Sequence, residues 1–142
     1  MTRPTHTRRA WLAGALPAFL LVSCGGDEPL MTLPDKEDLI GTWECQPLPK
    51  RTQQALGKAP SSIRLNRGGS FYAERFPMTE PLRLEETGGP WVLRDPNITP
   101  SGSYSIELKG VFLTIRKRGD QLVLVYPIDV LEGHEAEYIR KK

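Results

Sequence analysis

Apolar residues recur at every second position in short segments of this chain, and glycine, proline or aspartate closes most of them. A period of two sorts side chains onto the two faces of an extended strand, whereas a helix needs spacings of three and four. Trp43 and Cys45 alternate with Thr42 and Glu44, Ile63 and Leu65 bracket Arg64, and Phe71 and Ala73 alternate with Tyr72 and Glu74. Further segments of this kind lie at 82–86, 91–94, 104–108, 111–117, 122–126 and 136–140. Turns are expected at Arg67-Gly68-Gly69, Gly88-Gly89-Pro90, Arg118-Gly119-Asp120 and Glu132-Gly133, and 13 glycines and 13 prolines are ample for them. The one helix candidate, 51–56, sits inside a long connection at 46–60. Eight or nine short strands without a long amphipathic helix predict an all-β antiparallel sandwich or barrel. With 142 residues the chain is long enough for one domain and too short for two.

The first 23 residues are of another kind. Residues 1–10 are basic, 11–22 are apolar, and Ser23-Cys24 follows. A helix over that apolar stretch rises only ~18 Å against a hydrocarbon core of ~30 Å, so it reads as a signal peptide over 1–23 and not as a membrane span. Leu21-Val22-Ser23-Cys24 resembles the bacterial lipobox. The resemblance implies that the Cys24 thiol takes a diacylglyceryl group, that the chain is cut before it, and that the new amine receives a palmitate-like acyl chain. Such a lipoprotein is held on the cell membrane or outer membrane and faces the extracytoplasmic space, in a double-membraned cell envelope the periplasm. Gly25 stands where the inner-membrane retention rule of that group wants Asp, which leans toward the outer membrane. Thr7-Arg8-Arg9-Ala10-Trp11-Leu12 also resembles a twin-arginine export signal, and an ordinary signal with two adjacent arginines fits the same residues. Residues 24–37 then read as the lipidated cysteine and a flexible tether reaching at most ~45 Å, with the folded domain over 38–142. If Cys24 carries lipid, Cys45 is the remaining thiol and no intrachain disulfide forms.

Charge excludes one class of partner. Setting aside Arg3, Arg8 and Arg9 from the 19 bases leaves 16 against 17 acids, so there is no excess of base for a nucleic-acid backbone.

At Gly41-Thr42-Trp43 the chain resembles the lipocalin-like, or calycin, group of meander barrels, whose first strand opens with Gly-x-Trp. Gly69-Ser70-Phe71, Gly89-Pro90-Trp91 and the pair Tyr138 and Arg140 in the last segment agree with that order of features over about 39–140. The resemblance implies an all-β meander barrel of about eight strands, with Gly41 and Trp43 at its closed end and Arg140 stacked over the Trp43 ring. An eight-stranded barrel either fills with side chains or holds one small ligand.

Catalytic groups are scarce. His134 is the one histidine after the signal segment, in the polar turn Glu132-Gly133-His134-Glu135. Cys45 and His134 are too few for a structural zinc site, and no metal or cofactor is expected. As a nucleophile pair they are disfavoured, because Cys45 shares the face of Trp43 and a buried thiol is inert. There is no Gly-x-Ser-x-Gly, phosphate loop or dinucleotide fingerprint. Arg118-Gly119-Asp120 matches an integrin-binding tripeptide, but Gly-Asp between two apolar strands is what a tight hairpin requires. The sequon Asn97-Ile98-Thr99 has little bearing behind a bacterial signal peptide. Ser101-Gly102-Ser103-Tyr104 is similar to a loop of lipid-anchored lysozyme inhibitors, one residue short and without their disulfide.

The connection 46–60 carries Lys50, Arg51 and Lys58 and no acid. In lipocalin-like barrels the first long loop crosses the open mouth, so these three bases are candidates for an anionic head group, with Phe71, Trp91 and Tyr104 lining the cavity below. The expectation is a non-enzymatic, membrane-anchored module binding a small apolar or amphipathic ligand. Its alternative is a protein-binding inhibitor or envelope assembly factor with a filled core. A hollow interior favours the first, a solid one the second.

Overall fold

A computed structural model describes residues 26–129 and 133–142. The signal segment, the lipobox and Cys24 lie outside the described residues, as does Glu132 of the last expected turn. Nine strands form one antiparallel sheet: β1 (Glu28–Pro29), β2 (Gly41–Cys45), β3 (Ser62–Leu65), β4 (Ser70–Met78), β5 (Arg83–Arg94), β6 (Ser105–Leu108), β7 (Val111–Arg118), β8 (Gln121–Asp129) and β9 (His134–Arg140). A helix, α1 (Lys50–Leu56), lies between β2 and β3. Consecutive strands pair from β2 to β9, and β9 pairs back with β2, which closes an eight-stranded meander barrel compatible with the lipocalin-like architecture.

Alternation sets which face each residue takes. Trp43, Ile63, Leu65, Phe71 and Ala73 point inward, as their spacing predicts, and all are buried. In β4 the phase then slips: the register with β5 breaks between Ala73 and Phe76, and Arg75 takes φ 44°. A bulge of this kind lets Phe76 point inward again despite its odd spacing from Ala73. Lys109-Gly110 and Gly119-Asp120 are two-residue hairpin loops, bracketed by Leu108↔Val111 and Arg118↔Gln121. Positive φ at both Lys109 and Gly110 is the type I′ pattern, and at Gly119 alone it is the type II′ pattern, the turns that match strand twist. The integrin-like tripeptide is thus a hairpin turn.

Two expectations need correction. Gly88-Gly89-Pro90 is not a turn; it lies inside β5, and the segments 82–86 and 91–94 are one strand. Tyr72 pairs with Gly88 across β4 and β5, and a Cβ on Gly88 would stand 3.0 Å from the Phe71 carbonyl oxygen, so the strand needs a residue without a side chain there. The tether is also shorter than expected. From Asp27 onward it is docked: β1 pairs with β7, Arg118 holds the Asp27 carboxylate with two N–H donors at 2.5 and 2.8 Å, and a 3-10 turn at Lys36–Asp38 leads into Leu39, which is fully buried.

The barrel interior is occupied by side chains. Trp43, Phe71, Phe76, Trp91, Tyr126 and Tyr138 belong to one buried cluster, with Phe76 5.3 Å from Tyr126 and 6.4 Å from Tyr138 between ring centres. Outside the barrel, Val123 and Val125 of β8 are buried as well, apart from that cluster. Ion pairs from β7 to β9 cross over them: Arg116 to Glu135 at 3.1 Å and Arg118 to Glu137 at 2.9 Å. The aliphatic stems of the arginines shield the valines while their charged heads reach the neighbouring strand.

Candidate functional site

The meander fixes which residues gather at each end. β3, β5, β7 and β9 all run toward the end that holds the docked N-terminal segment, the turn 66–69, the loop 95–104 and the C-terminus. α1 and the turns 79–82 and 109–110 lie at the other end.

At the first end the predicted residues Gly41, Trp43 and Arg140 do meet. Trp43 is fully buried and its indole N–H donates to the Leu39 carbonyl at 2.8 Å. Arg140 faces Trp43 across the β2–β9 register, yet its guanidinium lies over Gly41, where a Cβ would be 3.1 Å from Nε. Gly41 also has φ 135°, a conformation L side chains rarely adopt. The two terminal nitrogens of Arg140 donate to the carbonyls of Asp38 and Glu37 at 3.3 and 3.5 Å. Arg140 thereby grips the 3-10 turn. Trp43 and Arg140 therefore hold the same short segment from two sides and close this end. An open groove of about 1080 Å³ runs beside it, with Leu33, Asp35, Lys117, Arg140 and Lys141 among its lining residues.

At the other end, α1 crosses the barrel as the sequence leads one to expect of the connection 46–60. Leu48 and Leu56 join the core, Thr52 is buried, and the helix stops at Gly57 with φ 78°. Lys50, Arg51 and Lys58 are all exposed. Lys50 and Lys58 border an outward groove with Gln53 and Gln54, away from the barrel axis. Of the aromatic residues expected to line a ligand cavity below them, Phe71 alone borders a notch at this end, of about 110 Å³. Phe71 and Trp91 are core, and the Trp91 indole donates to the Asn66 carbonyl at 2.9 Å at the closed end. Tyr104, half-buried, packs against the core from the 95–104 loop. The six expected ligand residues are thus not brought together.

What sequence reasoning missed is the edge of β5. β6 is four residues long and pairs with β5 only at Trp91–Arg94. Among the described residues, β5 from Arg83 to Pro90 has no strand on its β6 side. Below the β6–β7 turn, next to that free edge, a notch of about 110 Å³ opens between Phe71, Phe76, Met78, Leu108 and Val111, with Glu85, Thr87 and Lys109 at its polar side. No periodicity marks such a site; the signal was the mismatch between a short strand and its long neighbour. Ligand pockets run to about 300–1,000 Å³. An engineered cavity of about 150 Å³ takes benzene. This notch has room for one aliphatic side chain.

The Cys45 thiol is pushed up to about 11, chiefly by burial. Tyr138, beside it, is raised well above the usual phenol range by its own burial, and its hydroxyl meets no hydrogen-bond partner by distance and angle. His134 lies by α1, with Nδ1 3.4 Å from the Thr52 hydroxyl. Among the described residues no cluster of His, Cys, Asp and Glu is arranged to hold a metal.

Fold and site together define a closed eight-stranded antiparallel meander barrel, packed with its own side chains, with a free strand edge on β5 beside a small notch. No family model, curated protein or solved structure matches the chain.

Proposed function

We propose that this is a non-enzymatic, lipid-anchored extracytoplasmic module that binds a protein partner, taking an extended segment onto the free edge of β5. The carrying observation is that edge, unpaired from Arg83 to Pro90 beside a notch sized for one aliphatic side chain. Strand addition uses main-chain hydrogen bonds for affinity and pockets for alternate side chains for specificity. The packed core supports this reading over a small amphipathic ligand inside the barrel, and the high thiol pKa of Cys45 supports the absence of a nucleophile. The anchor rests on Leu21-Val22-Ser23-Cys24 and its resemblance to a lipobox.

Selection of random displayed peptides on the membrane-extracted protein tests the site. The expected binders are extended, place one aliphatic residue in the notch, protect the amides of 83–90 from hydrogen exchange, and are lost with Met78→Lys. Saturable binding of palmitate with no peptide selected would overturn the reading in favour of the interior. Metabolic palmitate labelling that survives Cys24→Ala would overturn the anchor.

A further inference from the structure

Where the chain enters the barrel fixes how the barrel meets a membrane. Cys24 precedes Asp27 by three residues, which span at most about 11 Å. Asp27 is clamped by Arg118, at the end of β7. A lipid on Cys24 would therefore be tied within about 11 Å of Asp27, not on a tether of ~45 Å.

The same end carries the most exposed large apolar side chains. Met31 is 82% exposed, Leu33 67% and Ile98 61%, ahead of Tyr72 and Val92 at about 40%. Met31 and Leu33 belong to the docked segment and Ile98 to the 3-10 turn Pro96–Ile98 in the 95–104 loop, so two stretches distant in sequence bring them to the same end of the barrel. Three exposed apolar side chains at one end, beside the point where the chain leaves for its anchor, ask for an apolar phase. Lys117, Lys141 and Lys142 also line that end, with Asp35, Asp38 and Asp120 among them, so charge there is mixed and apolar contact leads.

We propose that the closed end is a membrane-contact surface: Met31, Leu33 and Ile98 enter the boundary between head groups and acyl chains of the leaflet that holds the Cys24 lipid. This rests on the lipid-anchor reading above. A single weak interfacial contact becomes persistent when a covalent lipid keeps the surface at high effective concentration.

The mature full-length chain is reconstituted into phosphatidylcholine vesicles containing brominated lipid, after flotation has confirmed that it travels with them. Tryptophan is placed at the surface by Leu33→Trp and Ile98→Trp, with Gln54→Trp on α1 as the control at the opposite end; the parent supplies the background of Trp43 and Trp91. Emission from Leu33→Trp and Ile98→Trp is expected to be quenched severalfold more than that from Gln54→Trp. Vesicle-borne protein in which all three are quenched alike or not at all overturns the proposal and leaves the anchor standing. Protein that does not float with the vesicles and carries no lipid by mass overturns the anchor reading, and the proposal falls with it.

Discussion

Replacing Trp43 tests how the closed end is held. The side chain is fully buried, and deleting a buried aromatic costs about 3–5 kcal/mol from lost transfer energy and the cavity left behind. The change also leaves the Leu39 carbonyl without the indole N–H at 2.8 Å, worth about 1 kcal/mol. Trp43→Ala should therefore lose about 4–6 kcal/mol, a large part of the roughly 5–15 kcal/mol available to a domain. Arg140→Ala removes two long hydrogen bonds on an exposed side chain and should lose about 1 kcal/mol. The losses should not add. Trp43 bonds to Leu39 while Arg140 bonds to Asp38 and Glu37, so once either grip is gone the turn is loosened and the other has less to hold. Residues sharing partners in this way couple by about 0.5–3 kcal/mol. Urea unfolding of a Cys24→Ser chain, followed by far-UV circular dichroism, measures all corners of the cycle. If Trp43→Ala does not fold, Trp43→Phe carries the same test with a loss of about 2 kcal/mol. Additivity within about 0.3 kcal/mol would refute a shared turn.

Two further outcomes are expected. Alkylation of Cys45 in the Cys24→Ser chain should follow a pKa near 11 rather than the ordinary 9.0, leaving about 100-fold less thiolate at neutral pH; a midpoint at or below 9 would show that the thiol is not held in the barrel wall. The Asp27 carboxyl is held below 3.8, chiefly by its hydrogen bond from Arg118, so docking of β1 is strengthened above the unfolded carboxylate value and weakens as pH falls through the folded one. Protection factors of the Glu28 and Leu30 amides should drop in that acid range and become independent of pH there in Asp27→Asn, which at neutral pH costs about 1 kcal/mol or less of docking; an unchanged acid response in Asp27→Asn would assign the clamp to other groups.

Much of the barrel was legible because its determinants are local. The period of two puts Trp43, Ile63, Leu65, Phe71 and Ala73 on one face, and Gly119-Asp120 has the chemistry of a tight hairpin. Gly88-Gly89-Pro90 misled because glycine in a turn and glycine beneath a cross-strand neighbour look alike in sequence; only the Tyr72–Gly88 register separates them. The docking of β1 was illegible for a different reason. Two paired residues have no period, and the ion pair from Asp27 to Arg118 joins positions 91 apart. Phe71 and Trp91 were assigned to a ligand cavity because an inward aromatic on a strand has the same pattern whether it lines a hollow or fills it. Volume decides between the two, and volume depends on all strands at once.

The two ends of the barrel constrain one another. β4 is nine residues long and runs about 30 Å along its own axis, or about 20 Å of barrel height at the usual strand tilt, so the outer end of the β4–β5 hairpin stands about that far from the closed end, and α1 lies at the same outer end. With the closed end on the lipid, Lys50, Arg51 and Lys58 face away from the leaflet that holds the anchor, beyond a Debye length of about 8 Å at physiological salt. In that orientation they would add nothing to membrane contact. The free edge of β5 begins at that same outer end, at Arg83, and runs down to Pro90. Glu85, Thr87 and Lys109 flank the notch beside that edge, so the segment that adds to it should carry one aliphatic side chain between polar neighbours. Met78→Lys should therefore speed release of such a segment, whereas neutralising Lys50, Arg51 and Lys58 together, on the helix that meets β9, should leave its association unchanged. Association slowed by the neutral variant would instead put the bases of α1 on the path to β5.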